Sequence, residues 1–332
     1  MIVYLTEQGS YISISGDRII VKKGFNTIGI FLTKDTDQII IMGNISISTQ
    51  AIKHLLKNKI DVVFTTYSGQ YLGRLVPELG KNIILRRLQI QKLSITKHKI
   101  KFARAIVSAK LENSISTLRK LNYYHKSAEV SHILNKLVTM RKEIPLINEL
   151  QTLLGYEGSI ANIYFSAFDY LVKGAIKFEK RTRRPPKNEF NALLSFGYTI
   201  LLNLVRTAVN TVGLDPYYGS YHSEEYGRPS MVLDLMEEFR PVVIDYLVIS
   251  MLNKNIISRS DFIIDEENEE LPVSLSIYGR KKYIGLIEKR FNSYFWYEPK
   301  KKKMLLKDIV RYQTYLFAKA IIEDSEYIGY RF

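Results

Sequence analysis

The sequence predicts an α+β chain of two domains, a small β-rich domain over residues 1–78 followed by a large all-α domain over residues 79–332. Three observations lead there. Short β-branched and aromatic runs, divided by Gly, Asp and Asn, fill the first 78 residues. From about Leu85 apolar positions return with the 3.6-residue period of helices. At 332 residues a single core is also near its practical limit.

The runs IVYL, YISIS, RIIV, TIGIFL, QIIIM and DVVFTT read as strands, and Ser15-Gly16-Asp17 as a hairpin turn. One helix interrupts them. Ser48 or Thr49 can cap a segment that places Ala51, Ile52, Leu55 and Leu56 on one face. A hinge is expected between Pro77 and Lys81, and turns near Asn122, Pro145, Pro185, Pro186, Pro216 and Pro272 divide the long charged helices that follow.

The chain carries 48 basic and 33 acidic side chains, a formal net charge of +15, and no cysteine. Absent cysteine excludes disulfide scaffolds, thiolate zinc sites and thiol nucleophiles, and fits a reducing cytosol. The N-terminus shows no basic segment followed by a long apolar run, so no targeting peptide is expected. The longest apolar stretches, Leu193 to Val205 and Val242 to Leu252, are broken by Asn203 and Asp245 and read as core, not membrane spans. The expectation is a cytoplasmic protein without a membrane partner.

Most of the excess charge lies between residues 79 and 150, which hold 15 basic against 4 acidic side chains. Unpaired charge of one sign repels itself, so Arg86, Arg87, Lys97, Lys99, Lys101, Arg104, Arg119 and Lys120 point to a bound polyanion, nucleic acid first. A second basic cluster, Lys300 to Lys303, follows Phe291, Tyr294, Phe295, Trp296 and Tyr297. That mixture suits phosphate contact with base stacking, but Trp296 is expected to pack in the core. The acidic run at residues 265–270 reads as a solvated loop.

Nucleotide-loop, dinucleotide-binding, zinc-protease and serine-hydrolase motifs are all missing, and three places carry chemistry. In LLGYEGSIANIYFSAFDYL (153–171), Glu157 falls on the apolar stripe of Leu153, Ile160, Tyr164 and Phe168. A carboxylate there is a capping acid, half of a salt bridge or a cation ligand. In GLDPYYGSYHSEEYGRPS (213–230), His222 sits in a turn-rich loop between two helices, whereas His54, His98, His125 and His132 sit on ordinary helical patterns. In SMVLDLMEEFRPVVIDYLV (230–248), Asp234, Glu237, Glu238 and Asp245 form an acidic stripe opposite the apolar face. It is either solvated or gathers a cation, and Pro241 should kink the helix beside Glu237. One glutamate, one histidine and further acids would suit magnesium or manganese.

Four ordered segments, the Glu157 helix, RTRRPPKNEFNALLSFGYTILL (181–202), DPYYGSYH and GRPSMVLDLMEEFRP (227–241), resemble the CRISPR-associated DNA endonuclease and integrase, the Cas-one family. The resemblance implies an enzyme that inserts short DNA segments into a CRISPR array, acting as a homodimer with a small companion, Cas-two, on double-stranded and branched DNA. It implies Mg2+ or Mn2+ on Glu157, His222 and Glu237, where many relatives carry Asp at the last position. Asp234 becomes a supporting catalytic acid, and Arg183, Arg184 and Asn191 either help shape the site or, as for most of that segment, serve packing. The β-rich domain becomes the expected dimer interface. The implied chemistry is phosphodiester cleavage or strand transfer, with water or a DNA 3′-hydroxyl as nucleophile, the metal polarising the phosphate and His222 alternatively shuttling a proton. The competing expectation is a non-catalytic basic scaffold for nucleic acid.

Overall fold

The computed structural model describes residues 1–75, 82–182, 185–265, 267–269 and 271–332. They fall into two compact units, Met1–Leu79 and Gly80–Phe332. The expected hinge from Pro77 to Lys81, and Arg183 and Arg184, lie outside the described residues.

The first unit contains β1 (Ile2–Leu5), β2 (Tyr11–Ser15), β3 (Arg18–Lys23), β4 (Asn26–Leu32), β5 (Gln38–Met42), β6 (Ser46–Ile47), α1 (Thr49–Lys57), β7 (Asp61–Thr65) and β8 (Tyr71–Leu75). They form two four-stranded sheets, ordered β1-β5-β7-β8 and β4-β3-β2-β6. The apolar run of β5 is buried along its length because parallel neighbours flank it on both sides. Gly16 turns β2 into β3 with a φ of 57°, as the first position of a two-residue hairpin loop demands. Ser48 Oγ accepts the Ala51 N–H at 3.1 Å and starts α1, whose Ala51 and Leu55 join Ile12, Ile39 and Val62 in the core. On β4 the period of two leaves Ile28, Ile30 and Leu32 exposed on one face.

The second unit is mostly helical: α2 (Ile83–Leu93), α3 (Thr96–His125), α4 (Ala128–Arg141), α5 (Leu150–Ser166), α6 (Phe168–Leu171), α7 (Glu189–Val212), α8 (Ser230–Glu237) and α9 (Tyr246–Asn253). Then come β9 (Phe262–Ile264), β10 (Val273–Leu275), α10 (Ile277–Phe291), β11 (Tyr294–Tyr297), β12 (Lys302–Leu305) and α11 (Leu306–Glu323). By length and composition α7 could cross a membrane, yet 78% of its most apolar window is buried inside the fold. It ends where Gly213 takes a φ of 95°. Asn191, expected to shape the site, is buried near its start and braces the preceding segment, with Nδ2 donating to the Lys180 carbonyl at 2.8 Å and Oδ1 accepting from Thr182 N at 3.0 Å.

Two expectations change. The break at Pro241 is a π-helical turn, Pro241–Asp245, between α8 and α9, instead of a simple kink. Proline removes one backbone donor, and Arg290 Nη2 donates to the Val242 carbonyl at 2.5 Å inside the widened turn. Trp296, expected in the core, is 56% exposed. The period-two alternation of β11 turns Phe295 and Tyr297 inward, with the Tyr297 hydroxyl donating to Gln313 Oε1 at 2.7 Å, and so turns Tyr294 and Trp296 out.

Candidate active site

α5 carries Glu157 two turns from its start, too deep to cap it. The loop after α7 carries His222, and α8 ends on Glu237. The fold brings these three together.

Asp234 organises the loop. This fully buried carboxylate accepts the backbone N–H groups of Ser220 (2.6 Å), Tyr221 (2.9 Å) and His222 (2.9 Å), and Nδ1 of His222 at 2.7 Å. A carboxylate ion only accepts, so Nδ1 carries the proton that binds Asp234, and Nε2 is the ring nitrogen turned toward Glu237. Nε2 stands 4.0 Å from Glu237 Oε1. Gly219 makes the close approach possible, since a Cβ there would lie 2.7 Å from Asp234 Oδ2 and 2.8 Å from the Ser230 backbone. The loop is therefore clamped onto α8 by one acid.

A residue the sequence reading missed sits at the centre. Lys110, from α3, places its ammonium against Glu157 Oε1 and 2.5 Å from Glu237 Oε2. Its signal was available: between Ile106, Val107 and Leu111 it occupies a core-facing position where a lysine needs buried partners. Arg240 Nε adds a second cation 3.1 Å from Glu237 Oε1. Burial alone would push the Glu237 carboxyl up, but Arg240, Lys110 and His222 outweigh it and hold it at about 2. Burial likewise lowers the Lys110 ammonium, and Glu237 and Glu157 more than reverse this, so it stays charged. Burial, with Glu157 and Glu237 nearby, raises the Tyr221 phenol, which remains a donor.

The rest of the acidic stripe is not solvated. Glu238 points the other way, accepting the Tyr327 hydroxyl at 2.6 Å and the Tyr330 N–H at 2.8 Å, and burial pushes it up to about 8. Asp245 accepts the hydroxyls of Tyr164 at 3.0 Å and Tyr198 at 2.5 Å, and burial raises it to about 6. Successive acids therefore serve different neighbours. Among the described residues no three His, Asp or Glu side chains converge closely enough to hold a metal ion in this arrangement. The cation between the acids is Lys110.

The basic segment is also more paired than its local sequence suggests, because partners arrive from distant residues. Lys92 meets Asp324 at 2.8 Å and Lys99 meets Glu224 at 2.7 Å. Arg87, Lys97, Lys101, Arg119 and Lys120 stay exposed.

Fold and site together define a two-unit protein, β-rich then helical, whose helical unit encloses a centre of two glutamates, a carboxylate-anchored histidine and a buried lysine. The profile of the family described as "CRISPR associated protein Cas1" matches residues 3–289, and the chain belongs to that family. It is 32% identical over 321 residues, 96% of this chain and 87% of the relative, to "CRISPR-associated endonuclease Cas1 4" of Methanospirillum hungatei. Its fold is that of a "Cas6-RT-Cas1--Cas2 complex" chain (TM-score 0.84, 24% identity), covering all of this chain and 36% of that one. The same fold occurs in a "Casposase bound to integration product" (TM-score 0.83, 23% identity, 99% and 92% covered).

Proposed function

We propose that this chain is a metal-dependent DNA endonuclease and integrase that inserts short DNA segments into a CRISPR array, with catalysis at Glu157, His222 and Glu237. The observation that carries the reading is their convergence around one buried cation, with Asp234 fixing His222. Mg2+ or Mn2+ would take the same three residues. Two features support the fit: buried Glu237 Oε2 accepts no hydrogen bond of ordinary geometry, and His222 Nε2 stands beside Oε1 with its ring held through Nδ1. When bound, the metal supplies Lewis-acid stabilisation of the phosphate.

The residues do the rest. Asp234 is a positioning residue that holds the imidazole by Nδ1–H, and Arg240 keeps Glu237 ionised and aimed. Lys110 has to withdraw from the acids, and its freed ammonium can then neutralise a phosphate oxygen as charge builds in the displacement. Exposed Arg87, Lys97 and Lys101 hold duplex backbone without reading sequence. We further propose a cytoplasmic homodimer through the β-rich unit, supported by the exposed face of Ile28, Ile30 and Leu32, and a small Cas2-type companion, supported by the name of the solved complex.

One observation favours a non-catalytic scaffold: Lys110 already compensates both acids. Assay Glu157→Gln and His222→Ala on branched DNA with manganese or magnesium. Loss of cleavage and strand transfer with retained DNA binding is expected; activity surviving both changes would overturn the assignment of the metal site, and salt-sensitive DNA binding with no metal-dependent turnover in the unaltered chain would establish the scaffold.

A further inference from the structure

We propose that the β11–β12 hairpin is a stacking platform for unpaired nucleotides of DNA, a second contact surface apart from the centre at Glu237. This rests on the reading of the chain as a DNA enzyme. The two strands pair antiparallel, with Trp296 opposite Lys303 and Tyr294 opposite Leu305. Strand alternation therefore presents Tyr294 (67% exposed), Trp296 (56% exposed) and Lys303 on one outward face.

Exposing two large rings is unfavourable without an occupant, and lysines crowd the hairpin end beside them. Residues 300–303 are all lysine, and Lys301, Lys302 and Lys303 are exposed and enter no ion pair among the described residues. Glu298 is the one acid of the hairpin, and it accepts the Trp296 Nε1–H at 2.7 Å. That bond holds the indole by its edge and leaves its faces to a ligand. Tyr294 and Trp296 are two residues apart on one strand, about 6.6 Å by its rise. A gap of that order matches the room one base occupies between two rings, at about 3.4 Å per stacked base. Aromatic faces beside lysines match a single strand, whose bases are open to stack, and not a duplex, whose bases are already stacked.

The hairpin is rigidly seated. Phe295 lies under the Arg290 guanidinium at 4.6 Å and against Phe332 at 5.4 Å, and the Tyr297 hydroxyl donates to Gln313. Tyr330, in the same layer, bonds Glu238, the neighbour of Glu237. The platform is thus braced against the helix carrying the catalytic acid.

Trp296 is the only tryptophan, so its emission reports the site directly. Titrate the full chain with oligothymidylate of about ten nucleotides, within the span such platforms cover, and with a blunt duplex of equal length, following labelled DNA by anisotropy in parallel. Saturable quenching by the single strand alone is expected. Tyr294→Ala with Trp296→Ala should weaken single-strand binding roughly tenfold to a hundredfold and leave duplex binding within about twofold. Lys303→Glu, which keeps the reporter, should weaken it with a shallower salt dependence. Bound oligothymidylate without a change in emission, or unaltered affinity in the double variant with wild-type circular dichroism, overturns the proposal. So does emission that answers to a companion protein and not to the oligonucleotide. Quenching in a chain that never cleaves or joins DNA would refute the enzyme reading alone.

Discussion

Replacing Lys110 by methionine tests the counter-ion at the centre of the site. The variant keeps the length and apolar stem of the side chain and deletes the charge, leaving Glu157 and Glu237 facing each other. The Glu237 carboxyl lies at about 2 instead of its ordinary 4.5, a net stabilisation of about 3 kcal/mol once its cations have outweighed the opposing cost of burial. Because its value is depressed on folding, that stabilisation is complete above about pH 4.5 and is lost as pH falls toward 2. Lys110 shares it with Arg240 and His222 and also serves Glu157, and breaking a buried pair one-sidedly costs about 3–5 kcal/mol. About 3 kcal/mol is the expected loss for Lys110→Met in chelator at pH 7, a fall of roughly 6–12 °C in the melting of the helical unit. Manganese should bind the variant more tightly than the wild type, since no ammonium has to be displaced. At a hundredfold excess over Kd it returns about 2.7 kcal/mol. Differential scanning fluorimetry with and without manganese, and isothermal titration for the affinity, read both effects. A variant as stable as wild type in chelator, or one that binds manganese more weakly, refutes the counter-ion argument.

Asp234→Asn keeps the shape of the loop anchor but can set an amide donor against the donors it now accepts; we expect a loss of about 10- to 100-fold in metal affinity and activity, measured by titration calorimetry and cleavage. Gly219→Ala puts a methyl against Asp234 and the Ser230 backbone and should cost activity to a similar extent, with the His222 imidazole resonances shifted in NMR spectra. Asp245 has the opposite linkage to Glu237: its value is raised on folding from 3.8 to about 6, so its contribution is present below about pH 4 and is lost as pH rises through 6. Asp245→Asn should therefore flatten the fall of stability across that window, read from thermal melts at fixed salt. Lys97→Glu with Lys101→Glu should weaken duplex binding at all sequences and lower the salt slope by about one per lysine removed.

Six strands of the first unit, β1 to β5 and β7, were legible with α1 and α7 because each rests on a local signal: a β-branched run, a serine cap, a glycine in left-handed conformation at the end; β6, β8 and the short strands β9 to β12 were not read. Glu157 and His222 were legible too, one as an acid on an apolar stripe and one as a histidine in a glycine-rich loop. Lys110 was not singled out, because its meaning depends on partners 47 and 127 residues further along the chain. Trp296 was placed wrongly for a related reason. Hydrophobicity says that an indole prefers burial, but which side of a short strand faces the core is decided by neighbours in α11 and the C-terminal segment, and these claimed Phe295 and Tyr297.

The same reasoning explains why the acidic stripe from Asp234 to Asp245 could not be resolved as one feature. A turn of α-helix followed by a π-helical turn rotates successive acids out of register, so Asp234 faces the His222 loop and Glu237 the lysine of α3. Glu238 faces the C-terminal segment and Asp245 two tyrosines. Each acid is buried, and each needs its own donors. Of the four, Glu237 is the one paired chiefly with cations, Lys110 and Arg240, instead of neutral hydrogen-bond donors or an imidazole. A carboxylate satisfied by neutral donors has nothing to gain from exchanging them for a metal. One satisfied by an ammonium can exchange one cation for another, and this singles out Glu237 as the acid of the stripe suited to a ligand that comes and goes.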